Sequence, residues 1–198
     1  MRIVVTGCAA FLLLYLFDCL KLAGYARFAG PFFFCGFSVL LGCSLMAAFR
    51  GEAAFVLPFL LRIFCLALTL LCFLLLLSAL FFVLPFGRVY LKPERNAVIN
   101  TGLYALCRHP GVLFFFLMYG FLWLFTGRMT VLWACLAWTA MDVLHVWVQD
   151  RFFFPRSIDG YREYQNATPF LIPDAQSASR CLADLRRERN FSRIFDDL

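Results

Sequence analysis

Residues 101–110 read Thr-Gly-Leu-Tyr-Ala-Leu-Cys-Arg-His-Pro, and no other stretch concentrates so many groups able to do chemistry. An imidazole that titrates near neutrality and a permanently charged guanidinium lie one turn after a phenol. Pro110 then suits the first position of a helix. Such a set between two apolar runs is fit to hold a polar group beside a bilayer. A second polar island, Gln149-Asp150-Arg151, starts after the next two apolar runs. Two consecutive spans return a chain to the side it left, so the two islands are expected to meet on one membrane face.

A third cluster lies inside the last apolar run. Asp142, His145 and Gln149 follow one another at i, i+3 and i+7, within about 60° of one helix face, and Trp138 shares the stripe. An aspartate facing lipid near mid-span costs at least about 2.5 kcal/mol. Asp142 is therefore expected to face the bundle, bonded to His145 or to a neighbouring helix. Two readings stay open: a hydrogen-bonded staple, or the wall of a substrate pocket made by Trp138, Asp142 and His145.

The elements that must position these groups are membrane helices. The chain of 198 residues is 63% hydrophobic with 26 Phe, against about 45–50% apolar in soluble domains. Five runs are long enough, or nearly so, to span a bilayer: Ile3–Leu22, Phe28–Phe49, Ala53–Pro85, Gly111–Phe125 and Met129–Val148. The third is overlong, with Arg62 near one interface and the main span from Ile63 to Phe86; the fourth is short. The expected fold class is all-α: a polytopic membrane helix bundle of about five transmembrane helices with a cytosolic interfacial C-terminal segment. Residues 1–173 form the helical domain and 174–198 a basic tail, lying on the surface as an amphipathic helix. The first run is read as an uncleaved span, because it continues past Cys8.

Basic residues orient the bundle. Lys21, Arg27, Arg88, Lys92, Arg95, Arg108 and the tail fall on one side; Arg2, Arg50, Arg62 and Arg128 fall on the other. The richer side, with the C-terminus, is expected to be cytoplasmic, in the plasma membrane of a bacterium. The net charge of +6 fits attraction to anionic lipid. No basic groove with interleaved aromatics marks a nucleic-acid partner. Nine scattered cysteines offer no metal-ligand spacing and read as small apolar residues. Cys107 adjoins Arg108, a setting in which a thiol pKa can fall.

Gly102-x-Tyr104-x-x-x-Arg108-His109-Pro110, an apolar hairpin, a polar pair and Tyr161-Arg162-Glu163-Tyr164 with Pro169 and Pro173 together resemble the isoprenylcysteine carboxyl methyltransferase family and related phospholipid methyltransferases. The resemblance covers residues 97–173. It implies methyl transfer from S-adenosylmethionine to a lipid-like or isoprenoid carboxyl, amine or thiol acceptor arriving from the bilayer. It further implies a cofactor site of Gly102, Tyr104, His109, Pro110, Gln149, Asp150, Tyr161 and Tyr164, with Arg108 and Asp150 nearest the transfer. The sequence departs from the pattern where the family's Glu-Glu pair corresponds to Gln149-Asp150, a Tyr to Val112 and a small Gly to Phe114. Two other readings share these motifs: a nicotinamide-dependent reductase akin to membrane sterol reductases, and a non-catalytic membrane scaffold.

Overall fold

The computed structural model describes residues 1–83, 96–98 and 100–196, with side chains given for all but 81–83, 96, 97, 185 and 187–196. The expectations for Pro85, Phe86, Arg88, Lys92 and Arg95 lie outside the described residues.

The fold is an all-α bundle. Its helices are α1 (Arg2–Leu22), α2 (Ala26–Phe49), α3 (Phe59–Leu77), α4 (Leu103–Leu106), α5 (Pro110–Thr126), α6 (Met129–Val148), α7 (Phe154–Ser157), α8 (Tyr161–Ala167) and α9 (Ala175–Asp196). π-helical turns extend α3 over Ser78–Val83 and link α6 to α7 over Gln149–Phe153. Four helical stretches are long and apolar enough to cross a membrane: Arg2–Leu22, Ala26–Phe49, Phe59–Leu80 and Met129–Ser157. The apolar α5, with 17 residues, rises about 25 Å at the α-helical pitch and reaches the lower end of a spanning length. Outward faces carry exposed Leu12, Phe34, Leu60, Phe64, Leu74 and Trp133. An apolar surface this extensive belongs against lipid, and the chain is a membrane protein.

The third apolar run, Ala53–Pro85, becomes helical only at Phe59, after the start of the run and shortly before the Ile63 expected for its main span. Residues 53–58 are non-helical, and Pro58 precedes the first turn of α3. The reason is the missing amide hydrogen of Pro58 together with the preference of the residue before it for extended backbone. Arg62 consequently lies in the first turn of α3, its guanidinium 5.4 Å from the Phe125 ring centre.

α1 pairs with α2, α6 packs on α1 and α5, and α3 packs on α5. The buried core joins four of these helices through Val4, Phe11, Ala47, Phe115, Tyr119 and Trp138, among others. Trp138 is fully buried, and its indole Nε1–H donates to the carbonyl of Val4 at 2.8 Å. That approach is open because position 7 is glycine: a Cβ there would collide with the Trp138 ring. Tyr119 shares a short hydrogen bond with Ser44, which itself donates to the Leu40 carbonyl at 2.7 Å. The two buried polar tips of the core are thereby satisfied within protein, as a lipid environment requires.

The opposite ends of the bundle differ. At one, Arg128 Nε donates to the Gly51 carbonyl at 2.9 Å and Ala54 N to the Gly127 carbonyl at 2.8 Å, tying two loops together. Gly127 is held at φ +66°, where a side chain would also strike the Phe55 carbonyl. At the other end, a two-residue parallel pair joins Asn96–Ala97 to Ile158–Asp159. Arg108 N donates to the Pro169 carbonyl at 2.9 Å, binding the segments before α5 and after α8 to each other.

The C-terminal helix is anchored rather than lying free on the surface. Asp174 and Ser177 cap α9 reciprocally: Ser177 N donates to Asp174 Oδ1 at 2.7 Å, and Asp174 N to Ser177 Oγ at 3.0 Å. The backbone amide of Ser177 holds the Asp174 carboxyl below the usual range. Ser177 and Cys181 are buried, Arg180 Nη2 donates to the Ala167 carbonyl at 2.6 Å, and Asp184 accepts from the Gly102 amide at 3.3 Å.

Candidate functional site

The two polar islands meet. Asp150 is the hub, buried in the π-helical turn after α6. Its Oδ1 accepts the Tyr161 hydroxyl at 2.6 Å and lies 3.2 Å from His109 Nε2. Its Oδ2 accepts Gln165 Nε2 at 3.0 Å, and the same amide donates to the Asp150 carbonyl at 2.8 Å. Arg108 Nε sits 3.1 Å from Oδ1, but its N–H is not aimed there, so that contact is coulombic. Arg108 Nη1 instead donates to the Gln165 carbonyl at 2.7 Å, and the guanidinium lies 5.5 Å from the Phe170 ring centre. Four partners around one carboxylate make the setting of an ionised group.

Local structure explains how each group arrives. Pro110 occupies the first turn of α5, leaving His109 as its N-cap residue, with an imidazole stacked on Phe154 at 6.0 Å and edge-on to Phe170 at 5.1 Å. Enclosure between those rings lowers the His109 pKa, and burial outweighs the opposing pull of Asp150. A neutral imidazole donating Nε2–H to Asp150 satisfies both. Tyr161 and Gln165, one α-helical turn apart on α8, project the same way. Burial and the Asp150 carboxylate raise the Tyr161 pKa far above normal, fixing it as a donor.

The remaining expected residues form the support of this hub. Gly102 adopts φ +58°, a region that favours glycine. Tyr104 donates its hydroxyl to the Ala79 carbonyl at 3.0 Å, and its own carbonyl accepts the Tyr164 hydroxyl at 2.7 Å. Tyr161 and Tyr164 are therefore buried, with their hydroxyls turned inward. Cys107 is fully buried, and burial pushes its thiol up to about 11, opposite to activation by Arg108.

Two placements correct the sequence reading. Gln149 does not join Asp150: its Nε2 donates to Asp18 Oδ2 on α1 at 2.7 Å. Neighbouring helical residues point about 100° apart, and here the two side chains meet different helices. His145 likewise pairs with Asp18, Nε2 to Oδ2 at 2.7 Å, rather than with Asp142. Asp142 has no hydrogen bond among the described residues, although His145 lies near enough to act on its carboxyl. Trp138 belongs to the apolar core. Trp138, Asp142 and His145 line neither of the two clefts beside Asp150.

Two open clefts border the hub. The inner one, about 450 Å³, is lined by Arg108, Trp147, Asp150, Arg151, Gln165, Asn166 and Phe170. The outer one, about 370 Å³, is lined by Arg151, Pro155, Arg162, Gln165 and Asn166. Phe114 lines neither, so it does not fill these spaces. No cluster of three His, Cys, Asp or Glu suited to a metal occurs among the described residues.

Sequence reasoning missed Asp18, Gln165, Trp147 and Phe170. Asp18 carried a signal, being the single acid of the first apolar run. Gln165 carried a weaker one, its spacing of four from Tyr161.

Comparison with known protein families gives no matching family, comparison with characterised proteins gives no relative, and comparison with solved structures gives no similar fold.

Proposed function

We propose that this chain is an integral membrane methyltransferase that uses S-adenosylmethionine and acts on a lipid-like carboxyl, amine or thiol acceptor. One observation carries the reading. Arg108 and His109 from one end of a helical hairpin and Asp150, Tyr161 and Gln165 from the other converge beside a cleft whose rim includes Trp147 and Phe170.

The lining fits the cofactor. Its volume of about 450 Å³ falls among small-molecule sites of about 300–1,000 Å³. Arg108 and Arg151 offer cations to a carboxylate, and the rings of Trp147 and Phe170 offer faces to a purine or a sulfonium. When bound, S-adenosylmethionine supplies an electrophilic methyl group on a positively charged sulfur.

The chain's own groups contribute orientation. Asp150 fixes the wall: it holds Arg108, His109, Tyr161 and Gln165 in one arrangement before any ligand enters. Arg108, already pinned by Asp150, the Gln165 carbonyl and Phe170, loses little freedom on meeting an anion. Trp147, half exposed on α6, gives a lipid-like acceptor an apolar approach from the bilayer. Positioning and exclusion of water then supply the acceleration. In this reading the clefts face the cytosol in a bacterial plasma membrane, an orientation supported by Lys21, Arg27, Arg108 and Arg151 gathering at that end.

A second reading has its own support. The Asp150 oxygens are occupied by protein donors, leaving less capacity for ribose hydroxyls, which favours a scaffold that keeps the hub as a structural staple. Binding of S-adenosylmethionine and of NADPH to the detergent-purified chain separates the readings. A methyltransferase binds the first only; NADPH alone indicates a reductase, and neither ligand leaves the scaffold.

A further inference from the structure

The outer cleft has a composition unlike the hub. Its five lining residues include two arginines, Arg151 and Arg162, and no acid. Among the described residues no carboxylate lies within salt-bridge distance of either guanidinium, and both side chains are exposed. Asn166 adds an exposed amide with no hydrogen bond among the described residues. Asp150 stands behind the shared wall, but its oxygens already hold Arg108, His109, Tyr161 and Gln165. The two guanidinium groups of the outer cleft therefore stand without a carboxylate among the lining residues.

Its surroundings are those of a membrane interface. Trp147 and Phe152 flank Arg151 in the chain, are half exposed, and meet ring to ring at 6.2 Å. Aromatic rings beside guanidinium groups at a helix end mark the level where acyl chains give way to headgroups. Arginine forks match the oxygens of a phosphate, each able to give two parallel hydrogen bonds.

We propose that the outer cleft binds the phosphate group of an anionic ligand, held by Arg151 and Arg162 with Asn166 as a third donor. The shared chemistry comes from a phospholipid headgroup or from free phosphate. The outer cleft shares Arg151, Gln165 and Asn166 with the inner one, whereas Arg162 and Pro155 line the outer cleft only. Phosphate binding is measured without cofactor and Arg162 is not needed for methyl transfer, so the two readings fail separately.

The test uses the full chain in detergent and calorimetric titration with short-chain phosphatidic acid, inorganic phosphate, and the matching diacylglycerol, which lacks phosphate. Phosphatidic acid is expected to bind and diacylglycerol not. Arg151→Gln and Arg162→Gln should each weaken binding about tenfold or more, as loss of a charge-assisted contact does. Arg156→Gln, exposed nearby but outside the lining, should change it less than about twofold. Phosphatidic acid binding tighter than inorganic phosphate assigns the site to lipid; equal affinities assign it to free phosphate. The proposal is overturned if neither phosphate ligand binds or if Arg156→Gln weakens binding as much as Arg151→Gln. Loss of S-adenosylmethionine binding in Arg162→Gln would also overturn it, giving the outer cleft to the cofactor. Because both arginines are exposed, the variants should keep the wild-type far-ultraviolet spectrum; Arg162→Gln alone suffices if Arg151→Gln misfolds.

Discussion

Removing the Asp150 carboxylate tests the site most directly. In Asp150→Ala the Arg108 guanidinium, whose side chain is only 12% exposed, loses its counter-charge. The Tyr161 hydroxyl and the His109 Nε2–H lose their acceptor, and Gln165 keeps only the backbone carbonyl. Breaking a buried pair from one side costs about 3–5 kcal/mol, and the stranded neutral donors overlap with that figure because they share one oxygen. Asp150→Asn should cost less, about 2–3 kcal/mol, because its amide oxygen still accepts from Tyr161 while its NH₂ confronts Gln165 Nε2.

The assay is unfolding of the purified chain in mixed micelles titrated with a denaturing detergent, followed by far-ultraviolet circular dichroism. Arg108→Gln supplies the second arm of a double-mutant cycle. Removing both charges leaves neither stranded, so the double variant should be more stable than the sum of single effects predicts, by at least about 1 kcal/mol. A loss below about 1 kcal/mol in Asp150→Asn, or strict additivity in the cycle, would refute a buried hub and make the pair no more than a surface ion pair.

Two further outcomes follow from the geometry. Gly7→Ala should destabilise by about 1–3 kcal/mol through overpacking, because the added methyl meets the fully buried Trp138 ring; Trp138→Phe in the same chain should recover part of that loss in the same micelle assay. His109, with its pKa lowered by burial, is neutral when folded, so the unfolded chain binds the extra proton first on acidification. Its stabilising contribution is complete above about pH 6.5 and declines below that value, at up to about 1.4 kcal/mol per pH unit; His109→Gln should flatten stability measured just below pH 6.5, and an unchanged slope would place the titration elsewhere.

The parts legible in the sequence were those fixed by lipid and by chain parity. Apolar runs had to be helices, because no other backbone satisfies its own hydrogen bonds in hydrocarbon. Two consecutive spans had to return Asp150 to the side of His109. Helix starts were less legible: Pro58 decides the start of α3, although the apolar run extends past it. The pairing of His145 with Asp18 was not legible because spacing within one helix shows which residues share a face, not which helix that face meets. Asp18 could have been found by asking where the single acid of the first run gets its donors, since an acid in a span must face a partner. Gln165 was hidden for a different reason. Its role uses both its amide and its backbone carbonyl, and no residue type announces a carbonyl.

The same placements give the first hairpin a part in the site. Trp138, His145 and Gln149 lie along one stripe of α6, and all three bond to α1, through the Val4 carbonyl and through Asp18. Three polar contacts spread over that length help to fix the rotation of α6 about its axis, because hydrogen bonds are directional and the hydrophobic driving force is not. Asp150 begins about 100° further round, in the π-helical turn, a geometry that recurs at functional sites. Through α6, α1 thus helps to set the direction in which Asp150 points, although no α1 residue lines either cleft. A substitution that removes Asp18 would free α6 to turn, and the hub would lose its aim before the bundle lost its fold.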